Sequence, residues 1–462
     1  MKSAVAQLLL ASSAALAEEN GSRGDVSCPT AIRQTIPAYT WTDGERVERP
    51  AFSSMAGIHA ALLRCPDIAT LQVRTTLMGC SDWPDRFNFP FDFRGGDHYR
   101  SAPQVLSLEG YDADEIESSP CEDRFAPFWR ERIAFWTQPR RAWQCRDYVP
   151  LPEAQRNKTN LDLWLDAMDF SQIHTLQLNH TDGRYTLTEQ VVQKLPSRLT
   201  SLKSLAVCNG IGEQFILALP RSSLTHLSWQ NPSRGRNGDW DAALPKPLPP
   251  LEPVLRHQGS LLLSFDYHTD ESESLARQTL NVKEVGQLVT LAPGLQSLTL
   301  DLNRQPDGIG SGGQSWPWES LRVLAQGLPE LTDMTIYFDM ASECHREESR
   351  ANPWGLYRPD EISNCTEHHA QPRLNRASAA EMARFLWQHQ AGQRLSRVSF
   401  RAGDWTRSWD GPIRGGESWL EGRRDSVVCR VDQLAAAAEG VATISGDIVC
   451  DTDHDVPFSY FS

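Results

Sequence analysis

The stretch LAPGLQSLTLDLNRQPDG, Leu291 to Gly308, decides how the rest of this chain is read. Its centre sets Leu295, Leu298, Leu300 and Asn303 in the order L-x-x-L-x-L-x-x-N. In an extended segment alternate residues share a face, so Leu298 and Leu300 point one way and Thr299 and Asp301 the other. Just upstream, Val285, Leu288 and Leu291 recur at helical spacing, and Ala292-Pro293 separates the two periods. Proline cannot continue a helix and biases its predecessor toward extended geometry. The unit is therefore helix, proline joint, strand.

The unit recurs. LLRCPDIATLQV carries Ile68, Leu71 and Val73, and QKLPSRLTSLKSLAV carries Leu202, Leu205 and Val207. LALPRSSLTHLSW has Leu224, Leu227 and Trp229, and QGLPELTDMTIYF has Leu331, Met334 and Ile336. Further strands are expected at Ile173/Leu176/Leu178, Leu262/Phe265/Tyr267 and Leu395/Val398/Phe400. Cys65-Pro66, Leu195-Pro196, Leu219-Pro220 and Leu328-Pro329 repeat the joint. One such unit cannot bury its own leucines, whereas stacked units share a continuous core behind a parallel sheet.

Phrases such as LLRCPDIATLQV and LAPGLQSLTLDLN resemble the degenerate leucine-rich-repeat proteins common in filamentous fungi, over most of Ser54 to Cys450. Strand starts at 173, 202, 224, 262, 295 and 331 leave gaps of 22 to 38 residues; the longer ones resemble helix-containing repeats of the ribonuclease-inhibitor kind. The resemblance implies an α/β fold: an irregular leucine-rich-repeat solenoid with a curved parallel sheet, helices on the convex side and inserted disulfide-bonded loops. Only the opening unit keeps its asparagine; Gly210, Pro232 and Asp339 stand at the equivalent places, so no asparagine ladder is expected. Intracellular relatives with an F-box join ubiquitin ligases, but no F-box-like helical block precedes these repeats, so that adaptor role does not carry over.

The N-terminus, MKSAVAQLLLASSAALAEEN, has one basic residue, a short apolar run and the small-x-small pattern Ala15, Ala17 of a signal-peptidase site. The expected organisation is a signal peptide at 1–17, a cap at 18–53, the solenoid at 54–450 and a tail at 451–462. Sequons at Asn20, Asn157, Asn179 and Asn364 and ten cysteines, all after residue 17, agree with secretion. Proximity suggests Cys121–Cys145, Cys344–Cys365 and Cys429–Cys450, leaving the pairing of Cys28, Cys65, Cys80 and Cys208 open. A formal charge of -14 argues against nucleic acid and anionic membrane as partners, and no stretch has transmembrane length.

Four insertions break the rhythm, near 110–160, 230–253, 341–373 and 404–425. The first sets Trp129, Ile133 and Trp136 on one helix face beside Arg130, Arg140 and Arg141, the pattern of an amphipathic helix packed on the body. The last holds Trp405, Trp409 and Trp419. Pleat alternation places Gln72, Arg74, Gln177, Ser228, Gln230, Asp266, His268, Thr299, Asp301, Thr335, Tyr337, Ser399 and Arg401 on the concave face as candidate binding residues. Asn179 belongs to the same row, so a glycan there would cover part of that face.

Catalytic motifs are missing: there is no H-E-x-x-H, P-loop or G-x-S-x-G. The GIGSGG run at Gly308–Gly313 lacks a phosphate-binding lysine, and the DTDHD run at Asp451–Asp455 lacks the turn of a calcium loop. Cys344, His345, Cys365, His368 and His369 match no common zinc spacing, and a disulfide is the expected fate of the two cysteines. The sequence therefore points to a secreted, non-enzymatic binding protein that takes a protein or glycan partner and needs no cofactor or metal. The alternatives are a secreted carbohydrate-active enzyme on a solenoid and an intracellular adaptor without its F-box.

Overall fold

The structure, a computed structural model, describes residues 28–36, 52, 55–75, 98–111, 113–114, 158–181, 184–185, 187–208, 210–230, 248–269, 271, 276–306, 314–351, 365, 367–403, 424–432 and 447–452. The strands in chain order are β1 (Ala31–Ile36), β2 (Thr70–Thr75), β3 (Val105–Glu109), β4 (Thr175–Thr181), β5 (Arg184–Tyr185), β6 (Ser204–Cys208), β7 (His226–Gln230) and β8 (Ser264–His268). They continue with β9 (Ser297–Asp301), β10 (Gln305–Pro306), β11 (Gln314–Ser315), β12 (Asp333–Phe338), β13 (Arg397–Gly403), β14 (Arg424–Asp432) and β15 (Asp447–Thr452). One sheet runs β1-β2-β3-β4-β6-β7-β8-β9-β12-β13-β14-β15, with β5 attached to β4. Every pairing from β1 to β13 along this path is parallel.

The strand expected in the opening stretch is β9, and Leu295, Leu298 and Leu300 are all fully buried. Register aligns the strand leucines of successive units: Leu71, Leu106, Leu176, Leu205, Leu227, Phe265, Leu298, Met334 and Val398 form one unbroken row. All of them lie in a single hydrophobic core.

The helices behind this row are α1 (Met55–Arg64), α2 (Asn160–Ala167), α3 (Glu189–Lys194), α4 (Gly212–Ala218), α5 (Leu251–Gln258), α6 (Val282–Leu291), α7 (Trp318–Gly327), α8 (Glu343–Ala351) and α9 (Arg376–His389). Five of them, α1, α3, α4, α6 and α7, stop one residue before an X-Pro joint. Helix starts are fixed by side chains: Asn281 with Glu284 and Thr159 with Asp162 make capping boxes, which satisfy amides that a helix start leaves without partners.

The joints are also stitched to one another. The amide of Gln104 donates to the Ala69 carbonyl, His174 to Gln104, Lys203 to His174, Thr225 to Lys203, Leu263 to Thr225, Gln296 to Leu263 and Thr332 to Gln296, each at 2.8–2.9 Å. The same position in each unit thus bonds to its counterpart in the previous one, as translation of a repeat requires. Two buried glutamines fill polar gaps at these joints. Gln390 Nε2 donates to the Leu328 and Leu331 carbonyls at 3.1 and 2.7 Å, while its Oε1 accepts from Arg394 and Leu395 at 2.8 Å. Gln258 does the same between Pro220 and the Ser223 and Leu224 amides.

Three features depart from the sequence reading. β1 was not anticipated; it lies inside the segment expected to be the N-terminal cap and pairs in parallel with β2. β3 was not anticipated, although Pro103, Leu106 and Leu108 carry the joint and strand pattern. The C-terminal edge is antiparallel, β13 to β14 to β15, where a purely parallel sheet was expected. Cys429 and Cys450 face one another in that hairpin and are joined; Cys344 is joined to Cys365, and Cys28 to Cys65. Cys208 is buried at the end of β6, its sulfur 3.6 Å from the Leu178 carbonyl oxygen. Cys80, Cys121 and Cys145 lie outside the described residues, as do the Trp129–Trp136 helix, the Trp405–Trp419 loop and residues 307–313.

Candidate functional site

The face of the sheet opposite the helices carries rows of polar residues set by the same register. Arg33, Gln72, Ser107, Gln177, Ala206, Ser228, Asp266, Thr299, Thr335 and Ser399 are consecutive partners across ten strands. Two residues further along each strand, Arg74 pairs with Glu109 and Glu109 with Asn179; Gln230 pairs with His268, and Tyr337 with Asp301 and Arg401. Arg33, Ser107 and Glu109 are members that sequence reasoning missed, because β1 and β3 were not recognised. Arg74 and Glu109 approach to 3.8 Å, a half-buried ion pair on this face.

The thirteen sequence-selected residues divide in two. Gln72, Arg74, Gln177, Ser228, Gln230, Asp266, Thr299, Thr335 and Arg401 are half-buried on the open face. His268, Asp301, Tyr337 and Ser399 are buried instead. For Asp301 and Tyr337 the cause is the chain that follows β8. Asn303 and Asp339, which occupy the asparagine place of their units, both hold its Arg277: Asn303 Nδ2 donates to the Arg277 carbonyl at 3.3 Å, and Asp339 Oδ1 accepts the Arg277 amide at 2.9 Å.

Arg277 is then drawn over the strand ends. Its guanidinium donates to the Thr269 carbonyl and, at 2.6 Å, to the Gly403 carbonyl at the end of β13. It also lies 3.3 Å from Asp301 and 5.0 Å above the Tyr337 ring. Asp301 accepts the Thr269 amide and, at 2.8 Å, the Thr269 hydroxyl. Burial pushes the Asp301 carboxyl up to about 6 against the pull of Arg277. This cluster ties β8, β9, β12 and β13 together at their C-terminal ends.

A second buried cluster stands beside it. Glu271 accepts the Met340 and Ala341 amides at 2.8 Å and Arg346 at 3.1 Å, and Arg346 also reaches Asp339 at 3.2 Å. Burial and the neighbouring Asp339 raise the Glu271 carboxyl above the ordinary carboxylate range. Buried charges of this kind are held by pairing and hydrogen bonds together.

At the open rim of the first cluster, Ser228 Oγ donates to Asp266 Oδ2 at 2.8 Å and the His268 ring meets Asp266 Oδ1 at 2.6 Å. Burial raises the Asp266 carboxyl, but His268, Ser228 and Gln230 outweigh it and hold the group below its usual range. Serine, aspartate and histidine are all present, yet Asp266 sits between the other two. A serine nucleophile needs the histidine base within hydrogen-bond reach of its oxygen. Here the hydroxyl proton goes to the carboxylate, so the trio positions side chains and does not activate Ser228. His268 stacks on Tyr337 at 5.0 Å, and Arg401 donates to the Tyr337 hydroxyl at 3.0 Å, giving a stiff aromatic and cationic rim.

In-register parallel strands with helices behind them and a joint bonded to itself from unit to unit define a repeat solenoid of leucine-rich-repeat-like fold. No protein-family model matches the chain, and no curated protein matches it. Among solved structures, the leucine-rich repeat-containing protein LegL7 from Legionella pneumophila aligns with 9% identity and a TM-score of 0.24, over 64% of this chain and 91% of that one.

Proposed function

We propose that this chain is a secreted, non-enzymatic binding protein that grips a protein partner on the open face of its sheet. The observation that carries the reading is the set of polar rows in strict register across ten parallel strands, half-buried from β2 to β7. At about 4.8 Å per strand, ten strands span roughly 45 Å, the width of a protein epitope more than of a small ligand. The face mixes Arg33, Arg74, Glu109 and Asp266 with neutral amides and hydroxyls, which suits a partner of alternating charge. Nothing in its arrangement favours phosphate, in line with the net charge of -14.

Secretion rests on the N-terminal signal pattern and on three disulfides, which persist in oxidising compartments. Among the described residues no helix is long and apolar enough to cross a membrane. Of the four sequons, Asn179 alone lies within the described residues, half-buried in β4 opposite Glu109. Use of the open face requires Asn179 to remain bare. Glycopeptide mapping of secreted material checks this, and a fully occupied Asn179 would contradict binding across β3 and β4.

The direct test is cross-linking of the secreted chain to extracellular proteins, repeated with a Gln72→Glu, Gln177→Glu, Ser228→Glu triple variant. A second triple variant on the helical side, Lys194→Glu, Arg256→Glu and Arg322→Glu, serves as the control. The account expects a discrete partner to be captured by wild type and control and lost, by tenfold or more, with the open-face variant. Equal capture by both variants would place the interface elsewhere.

A further inference from the structure

The insertion after β12 brings together side chains that the binding face does not use. Asp339 and Met340 lead into Ser342, whose hydroxyl accepts the His345 amide at 3.1 Å at the start of α8. The returning chain is fastened to the same place three times. Ser342 N donates to the His368 carbonyl at 2.8 Å, Ala370 N to the Met340 carbonyl at 2.8 Å, and the Cys344–Cys365 disulfide closes the loop. The two backbone bonds make Ala341 and His369 an antiparallel bridge.

This scaffold aims two imidazoles at each other. His345 Nδ1 and His368 Nδ1 stand 3.2 Å apart, with ring centroids 5.4 Å apart and planes crossed at 78°. Glu348, one helical turn after His345, brings a carboxylate oxygen so that the three ligand atoms all lie within 4.8 Å of one another. His345 is fully buried, while Glu348 and His368 are half-buried and open the cluster to solvent.

We propose that His345, Glu348 and His368 bind a divalent first-row transition ion, zinc foremost, with solvent as the fourth ligand. Zinc–nitrogen bonds of about 2.0–2.1 Å in a tetrahedron place neighbouring donors roughly 3.3 Å apart, which is the spacing of the two Nδ1 atoms. Two imidazoles and a carboxylate form a donor set that zinc accepts with one position left open. In the metal-free chain one imidazole donates its Nδ1 proton to the other. On binding, that ring carries its proton on Nε2 instead, and both Nδ1 lone pairs face the ion. No net proton is lost, and no redox partner is needed. Glu348 already accepts the Cys365 amide at 3.2 Å; a carboxylate has lone pairs enough to keep that bond and ligate as well.

The cysteines play a supporting part. Cys344 and Cys365 also stand near Glu348, but as a disulfide they are not thiolate ligands. Their bond ties α8 to the segment that carries His368, which helps to hold the two histidines together. The site therefore belongs to the oxidised protein and is independent of the partner bound on the open face.

The test uses the full oxidised chain, stripped with a chelator and titrated with Co(II) as a spectroscopic probe. Wild type is expected to give ligand-field bands of a four- or five-coordinate ion that saturate at one equivalent, without a sulfur-to-cobalt charge-transfer band. His226→Gln, a change on the exposed strand face, should leave the titration unaltered. His368→Gln and Glu348→Gln should each weaken binding at least tenfold while far-ultraviolet circular dichroism stays unchanged. Absence of a stoichiometric band in wild type, or unchanged affinity in either ligand variant, would overturn the site. X-ray absorption at the zinc edge of the reloaded wild type needs no variant: two imidazole nitrogens support the assignment, and sulfur in the coordination sphere contradicts it.

Discussion

Asp301 shows how far a single side chain can move from its expected role. Alternation in the sequence places it on the open face of the sheet beside Thr299, and the register does pair it with Tyr337 there. What alternation leaves out is Arg277, 24 residues away in the chain, which folds over it. Its folded carboxyl titrates near 6 and its unfolded one near 3.8, so between these values the folded chain binds more protons. Stability contributed by this group is therefore highest near pH 4 and falls as pH rises to 6, then levels. Wild type should show a higher denaturation midpoint at pH 5 than at pH 7.5, and Asp301→Asn should shrink that difference. A midpoint that rises from pH 5 to 7.5 to the same extent in both would refute the burial of this carboxylate. Arg346 offers a complementary test. Arg346→Met removes the guanidinium that pairs with both Glu271 and Asp339 and should cost about 3 kcal/mol in urea unfolding.

At the scale of the element, the helix–joint–strand unit was legible because three local signals coincide: a period of 3.6, a proline and a period of 2. All eight strands marked by alternation, five of them behind a proline joint, are present in one sheet. β3 escaped because its leucines follow a stretch without a readable helix, and β1 because AIRQTI is one short run in which Gln34 interrupts the apolar face of Ile32 and Ile36. The antiparallel β14 and β15 carry no proline joint, and their pairing is decided by contacts distant in sequence. The joints themselves depend on residues that no periodicity marks. Gly392 is one: a Cβ there would stand 1.9 Å from the Pro329 carbonyl oxygen, so only glycine lets adjacent units approach. Gln390 is another, serving two carbonyls and two amides at once. Gln390→Leu takes the side-chain partner from all four, leaving the Leu331 carbonyl and the Leu395 amide the worst served, and should destabilise by on the order of 3 kcal/mol. Gly392→Ala should be worse, and a stability within experimental error of wild type for either variant would contradict the joint geometry.

For the whole molecule, stacking makes stability a sum of neighbour contacts, with the open face left as the proposed binding surface. The candidate site was half legible: nine of thirteen residues selected by alternation remain half-buried on that face, and the other four are buried, Asp301 and Tyr337 beneath Arg277 at the strand ends. The covering segment is a tertiary choice, made by Asn303 and Asp339 together, and nothing near Arg277 in the sequence announces it. The account stands on one continuous ladder from β1 to β13. Hydrogen–deuterium exchange followed by mass spectrometry tests that ladder segment by segment. Slow exchange is predicted for every interior parallel strand from β2 to β12, including the unanticipated β3 at Val105–Glu109. Fast exchange in β3 or in β6 to β9 would break the sheet into separate pieces and contradict the solenoid.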